Sequence, residues 1–425
     1  MEKVTVVGLG KIGLPLATVF ANSGNYYVIG ADKNEIVVKQ VNTGLSHIKN
    51  EPGVDELLNK AWKSGLIHAT TNTIDAVSQS SIVVVIVPVL VNDQNKIDYQ
   101  YIDSAVEDIG KSIKKDTLVI FETTIPTGDT RNRFGRKIEE LSGLQMGEDF
   151  YLAYSPERVY SNRILKDLKT YPKVVSGINK KSLDIAAQFY RDTIGCDVLQ
   201  VSSLETAEFT KVAEAVYRDV NIALVNELAI YGEKYGVDIS EVIMAANSEP
   251  FSHLHMPGVG VGGHCIPVYP YFFINNGLDY GLVPLSRTVN DNMANYAVNL
   301  LEGSFYTLQS KNILILGLSF RENVKEATRS STLLLVNALR QKGATIYIDD
   351  PLYTEDEIAS FGVNAFKGDD KNDINGIILQ AFHDEYKLFS FSEFQNCKVI
   401  VDGRNVLDKS EIQKLGITYY GIGIR

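Results

Sequence analysis

Three cysteines in 425 residues, at positions 196, 265 and 397, are too few, too scattered and too odd in number to make a disulfide framework. The opening MEKVTVVGLG runs directly into a strand pattern with no secretory leader, so a reducing cytoplasm is the expected compartment. No apolar run approaches the roughly 18 residues needed to span a bilayer. The longest, IVVVIVPVLV at 82–91, is short and contains a proline, so a soluble chain with no membrane partner is expected. Basic tracts are also missing: 41 Lys and Arg stand against 52 Asp and Glu, a net charge of −11. With no aromatic-basic interleaving either, a nucleic-acid partner has no electrostatic footprint. An anionic ligand must then be met by a few placed cations. His253, His255 and His264 stand near Cys265, but the pattern lacks a distal pair, so no metal is expected. No short-period repeat or low-complexity segment is present.

What is present is alternation. KVTVVG (3–8), YYVIGAD (26–32), SIVVVIV (81–87) and TLVIFE (117–122) are β-branched runs separated by helical patterns such as LPLATVFANSG. Strands separated by helices predict an α/β fold with a parallel, doubly wound sheet. From 204 to about 235, apolar residues recur at helical spacing without Gly or Pro until the end, which predicts one long helix. A helix of that length bridges domains or forms a dimer seam. The alternation resumes at KNILILGLSF (311–320), with a helix at STLLLVNALRQKG and strands at ATIYIDD, INGIILQA and CKVIVDG. The expected organisation is a Rossmann-like domain over 1–203, a central helical region over 204–306, and a second Rossmann-like domain over 307–425. The second domain lacks its own GxGxxG.

VTVVGLGKIGLPLA places Gly8, Gly10 and Gly13 after a strand and at the start of a helix. In that context glycines allow a tight turn and let a pyrophosphate approach the helix N-terminus. Asp32, at the end of the next strand, is placed to accept hydrogen bonds from a ribose and to repel a 2′-phosphate. NAD is therefore expected over NADP, with Lys33 arguing the other way. At 258–270, GVGVGGHCIPVYP sets four glycines in six positions just before Cys265. So much glycine implies a backbone that approaches something closely. Pro267 and Pro270 fit the first turn of a helix, which would set Cys265 beside a helix N-terminus and favour its thiolate. A structural cysteine in a tight turn fits the same stretch equally well.

Taken together, GLGKIGLPLA, FETTIPTG (121–128), AYSPERV (153–159), EFTKVAEAVYRDVN (208–221), GVGGHCIP (260–267), GLSFRENVKEATRSS (317–331) and VDGRNV (401–406) resemble the UDP-glucose/GDP-mannose 6-dehydrogenase family along essentially the whole chain. The resemblance implies one Rossmann-like domain for NAD, one for a nucleotide sugar, and a central helix that makes a homodimer or higher homo-oligomer. It implies four-electron oxidation of a C6 hydroxyl to a uronic acid, for surface polysaccharide or glycan synthesis. The GGHC form and the YRDVN run look most like the branch acting on UDP-N-acetylmannosamine, favoured here, or UDP-N-acetylglucosamine. UDP-glucose or GDP-mannose as substrate, or a degenerate relative that binds without turnover, are the alternatives.

By the same resemblance, Cys265 traps the intermediate aldehyde as a thiohemiacetal and then a thioester. Lys211 supplies the cation for the developing oxyanion, Glu157 works as acid and base through water, and Thr124 orders that water. The cofactor falls to Gly8, Gly10, Gly13, Asp32, Pro88, Thr123 and Arg329. The substrate falls to Arg218, Asn221, His255, Gly262, Arg287, Arg321 and Arg404. Two positions depart from the family pattern: Tyr269 stands where an aspartate is usual, and Ala215 where an asparagine is usual. Arg218 and Asn221 share a helix face with Lys211 and are candidates to take over from the missing asparagine. Phe251 aligns with an arginine that some relatives use across the dimer.

Overall fold

The computed structural model describes residues 1–49 and 51–424. Its first unit, Met1–Glu214, contains β1 (Glu2–Val7), β2 (Tyr26–Ala31), β3 (Ile67–Thr70), β4 (Ile82–Val85), β5 (Leu90–Val91), β6 (Ile97–Asp98), β7 (Leu118–Phe121), β8 (Tyr151–Tyr154), β9 (Lys173–Gly177) and β10 (Val198–Gln200). Eight of these make one sheet in the order β10-β9-β8-β7-β4-β1-β2-β3, while β5 and β6 form a separate hairpin. The strands from β8 to β3 are parallel. β9 runs antiparallel to β8, and β10 follows β9. Val4, Val6, Val83 and Val84 are fully buried, as strands covered by helices on both faces must be. The helix Gly13–Asn22 contributes Leu14, Leu16, Ala17 and Phe20 to that cover. The chain leaves β1 toward β2 and β3 and then crosses back to β4, so the strand order reverses beside β1. Ligands of doubly wound sheets bind at such a reversal.

The second unit, Ala215–Arg425, repeats the scheme with β11 (Asn312–Leu316), β12 (Thr345–Asp349), β13 (Asn364–Ala365), β14 (Gly376–Leu379), β15 (Val399–Asp402) and β16 (Thr418–Gly421). All six are parallel, in the order β13-β12-β11-β14-β15-β16. Leu301, from the helix Leu282–Glu302, and Leu335 and Leu339, from Ser331–Gln341, pack with Ile313 and Ile315. The long helix appears as expected, unbroken over Leu204–Glu233 for 30 residues. The boundary at Glu214 and Ala215 falls inside it. Two Rossmann-like doubly wound sheets and a long central helix are therefore the observed architecture.

The same device ends the first strand of each sheet. Gly8 has φ +93° and Gly317 φ +100°, a conformation that glycine alone adopts without strain. The Gly8 amide donates to Ala31 O at 2.8 Å and the Leu9 amide to Asp32 Oδ2 at 2.8 Å. Correspondingly, Gly317 donates to Asp349 O at 2.8 Å and Leu318 to Asp350 Oδ2 at 2.9 Å. Asp350 also accepts from Ser319 N and stands 3.1 Å from His383 Nε2. Because His383 Nδ1 accepts from the Asn323 amide, the ring proton sits on Nε2 and is donated to Asp350.

Asp402, the acid of VDGRNV, is fully buried and accepts from Arg404 N, Val406 N, Leu407 N and Tyr419 OH at 2.7–3.0 Å. Removing it orphans three main-chain donors and a phenol. Asp402→Ala should therefore lower the unfolding free energy by roughly 3–5 kcal/mol in equilibrium denaturation. A loss under about 1 kcal/mol would refute this role.

Candidate active site

The cofactor candidates of the first unit collect at the carboxyl ends of its strands: Gly8 follows β1, Asp32 follows β2, Pro88 lies shortly after β4, and Thr123 shortly after β7. A Cβ on Gly13 would stand 1.9 Å from Gly8 O, and one on Gly8 2.9 Å from Ile86 O, so both positions demand glycine for packing. Gly10 differs, because a Cβ there would meet nothing within 4 Å. Open space at the mouth of the helix fits a pyrophosphate drawn close to the main chain. Asp32 is held by the amides of Leu9 and Asn34. Lys33, the residue that argued for NADP, is engaged with Ser104. The Thr123 hydroxyl donates to Val87 O at 2.7 Å and so ties the loop after β7 to Pro88.

Glu157 follows β8 and is held from two sides: Oε2 meets Lys173 Nζ at 2.6 Å and Oε1 accepts from Arg158 N at 2.8 Å. Burial alone would raise its pKa, but Lys173 and the Arg158 amide hold it below the usual carboxylate range. Thr124 is buried close by in sequence to Thr123. The loop beyond it is anchored by Glu208, which accepts from Gly128 N at 2.5 Å and Thr130 N at 2.9 Å. Lys211 stands three residues after Glu208 on the same helix. It is 7% exposed, and among the described residues its ammonium makes no ion pair or hydrogen bond.

In the second unit the structure explains the glycines before Cys265. A Cβ on Gly262 would stand 2.6 Å from Phe320 Cβ and 3.0 Å from Arg329 O, and one on Gly260 2.9 Å from Ser331 Cβ. Gly263 N donates to Thr328 O at 2.9 Å. What the loop approaches so closely is the 317–331 segment. Pro270 does begin a helix, Pro270–Ile274, but that helix starts five residues beyond Cys265 and is itself five residues long. A turn over 266–269 intervenes, with the Tyr269 amide donating to Cys265 O at 2.9 Å. The expected helix N-terminus beside the thiol is therefore absent, and Tyr269 OH stands 3.7 Å from Sγ.

The substrate candidates separate into two kinds. Arg287 is 4% exposed and paired with Asp219 at 2.5 Å and with Asp291, while Asn290 donates to Asp219 as well. Asn221 brackets a loop, donating to His253 O at 2.7 Å and accepting from His255 N at 2.9 Å. These two brace the fold. Arg404 donates to two carbonyls, Gln380 O and Phe320 O. Arg321 lies 5.8 Å from the Phe320 ring centroid and Arg329 5.9 Å from that of Tyr271. Arg329 also takes φ +45°, which costs a non-glycine residue energy and marks a tightly determined turn. His255 Nε2 is buried with no hydrogen-bond partner among the described residues. Burial, with Arg218 adding to it, lowers the His255 pKa and keeps the ring neutral. Glu122, Lys173, Tyr190 and Asp219 were not singled out in the sequence. Glu122 and Asp219 lay inside quoted motifs, whereas nothing local marked Lys173 or Tyr190.

A glycine cradle with an acid one strand away, on a doubly wound sheet, defines a dinucleotide-binding protein. The chain belongs to the UDP-glucose/GDP-mannose dehydrogenase family, whose NAD binding, central and UDP binding domains match residues 2–194, 205–292 and 314–409. It is thus an NAD-dependent nucleotide-sugar dehydrogenase. It is 33% identical to a UDP-N-acetyl-D-mannosamine dehydrogenase of Pyrococcus horikoshii over 99% of both chains, and 31% identical to Protein CapL of Staphylococcus aureus over 97% of both. The solved structure of a UDP-D-ManNAc dehydrogenase from P. horikoshii superposes with a TM-score of 0.89 at 31% identity, covering 99% of each chain. A UDP-glucose dehydrogenase from Pyrobaculum islandicum superposes with a TM-score of 0.88 at 26% identity, covering 100% of this chain and 98% of that one.

The contrast between the glycines is testable. Gly10→Ala should melt like the parent yet lose at least about tenfold in NAD affinity, whereas Gly13→Ala should be strongly destabilised. Unchanged NAD affinity in a folded Gly10→Ala protein, read by fluorescence titration, would exclude the cradle as the pyrophosphate site.

Proposed function

We propose that the protein oxidises the C6 hydroxyl of UDP-N-acetylmannosamine to the uronic acid in two successive two-electron steps. The names of the relatives support the sugar. The observation that carries the chemistry is Lys211, a residue only 7% exposed whose ammonium has no countercharge among the described residues and so remains available to an anion. NAD, when bound by the cradle of Gly8, Gly10, Gly13 and Asp32, supplies the acceptor for each hydride that leaves C6.

In this reading Glu157 takes the hydroxyl proton through a water ordered by Thr124, and an aldehyde results. The Cys265 thiolate adds to the aldehyde carbon to give a thiohemiacetal, whose oxygen Lys211 stabilises as charge develops. Loss of the second hydride leaves a thioester on Sγ. Water, deprotonated through Glu157, attacks the acyl carbon; the C–S bond breaks, the acid leaves, and the thiolate is restored. Tyr269 lies against Sγ in place of the family's aspartate. A phenol ionising near 10 is a poor base at neutral pH, so water activation falls to Glu157. Arg404, whose guanidinium donates to carbonyls in the pairs described above, and Arg321 are assigned to the nucleotide diphosphate.

We also propose a homodimer built on the long helix. Tyr217, Leu224 and Tyr231 recur every seven residues and stand half exposed, the spacing of a helix seam.

NADH formation at 340 nm should be seen with UDP-N-acetylmannosamine and not with UDP-N-acetylglucosamine, UDP-glucose or GDP-mannose. About two NADH should form per sugar consumed, and Cys265→Ser should abolish the second. Turnover of UDP-glucose alone would overturn the substrate, and full activity in Cys265→Ser would overturn the thioester. Leu224→Glu should shift the protein to a monomer in sedimentation velocity; an unchanged sedimentation coefficient would remove the long helix as the seam.

A further inference from the structure

Around Glu157 lies a set of buried charged groups that the proposed reaction does not use. Lys173 Nζ stands 2.7 Å from Glu122 Oε2 and 2.6 Å from Glu157 Oε2. The three side chains are 5%, 0% and 11% exposed, respectively. The second oxygen of Glu122 accepts from Tyr190 OH at 2.7 Å, and the Lys173 ammonium also lies 5.0 Å from the Tyr190 ring centroid. Glu122 directly precedes Thr123 and Thr124, so the group is joined to the loop at the end of β7.

We propose that Lys173 and Glu122 are positioning residues for Glu157: Lys173 pins one of its oxygens, and Glu122 holds the surplus proton, so that the charge of the shared ammonium goes to Glu157 and Glu157 rests as a carboxylate able to take a proton. The inference rests on the reading of Glu157 as the acid and base. One cation cannot neutralise two buried carboxylates, and the surplus negative charge is costly enough that one of them is driven to hold a proton. The structure decides which. Glu122 is the more deeply buried, and burial pushes its pKa up to about 7. Glu157 keeps some exposure, has the Arg158 amide as a second donor, and stays ionised. A neutral Glu122 leaves the charge of Lys173 to Glu157 and gives the ammonium a second, uncharged acceptor that fixes its place. The other titratable groups about Glu157 are Arg158, paired with Glu214 at 3.0 Å, Tyr190, and Cys196, whose thiol pKa burial raises.

The test uses the full-length protein with glutamate labelled with ¹³C at the side-chain carboxyl, titrated by NMR without substrate. Glu157→Gln assigns the Glu157 signal, and the pH profile of kcat is measured in parallel. In Lys173→Met, the Glu157 titration and the acid limb of kcat should both move to higher pH by about one unit or more, because Glu157 loses its countercharge. Glu122→Gln, which puts a neutral side chain where the protonated acid stands, should leave both near their original place, as should Lys173→Arg. Thermal melts establish that each variant is folded, and Lys173→Gln, expected to shift as Lys173→Met does, keeps the test open should Lys173→Met fail to fold. An unchanged Glu157 titration in folded Lys173→Met and Lys173→Gln proteins, or a move in Glu122→Gln as large as theirs, would overturn the proposal. A carboxyl titration that moves while the kcat limb stays would support the shared ammonium and overturn Glu157 as the base.

Discussion

When a strand ends on a glycine in the left-handed region, the next main-chain amide turns away from the sheet, and once buried it must find an acceptor. Both units meet that constraint with the acid at the end of the neighbouring strand, Asp32 for Leu9 and Asp350 for Leu318. The turn into the following segment depends on that bond in each case. What differs is the remaining capacity of the carboxylate. Asp32 has two amides and a half-exposed position at the rim of the glycine cradle. Asp350 is sealed, because Ser319, Leu352 and His383 add three more donors. Burial would raise Asp350, yet these donors hold it below the usual carboxylate range. One device thus leaves an acid available to a ribose in the first unit and spends it on structure in the second.

Buried carboxylates also position the chemistry of the first unit. Glu208 takes two amides from the loop that carries Thr124, while its helix carries Lys211 one turn later. Glu208 is fully buried, and that burial pushes its pKa up to about 7 despite those donors. Glu122 and Lys173 act similarly on Glu157. Side chains assigned to proton transfer and charge stabilisation are held by acids that never need to touch a substrate.

In the second unit the economy of charge decides which arginines remain usable. Arg287 faces two carboxylates at contact distance, so little of its charge is left for a diphosphate. Its work is to join the helix Leu282–Glu302 to Asp219 on the long helix. The guanidinium hydrogen bonds of Arg404 go to neutral carbonyls, which orient it without cancelling its charge. In a chain of net charge −11, that distinction matters more than the number of arginines. The glycines before Cys265 belong to the same packing problem, because they let one loop lie flat against the 317–331 segment.

Local pattern determined much of this protein. The alternation of β-branched runs and helical segments, the helix over 204–233, and the cradle of Gly8, Gly10 and Gly13 with Asp32 were legible in the sequence because backbone period and turn chemistry are written in neighbouring residues. The short strands β3, β8 and β13 and the reversed pair β9 and β10 were not, since a run of two to five residues has no period to read. Nor could local pattern say that four residues of turn separate Cys265 from its helix, that Lys173 meets a carboxylate 51 positions away, or that Arg287 is spent on an acid 68 positions away. Which buried charges neutralise one another, and so which remain free for a ligand, follows from how strands and helices far apart in sequence pair and pack, and only the tertiary structure decides it.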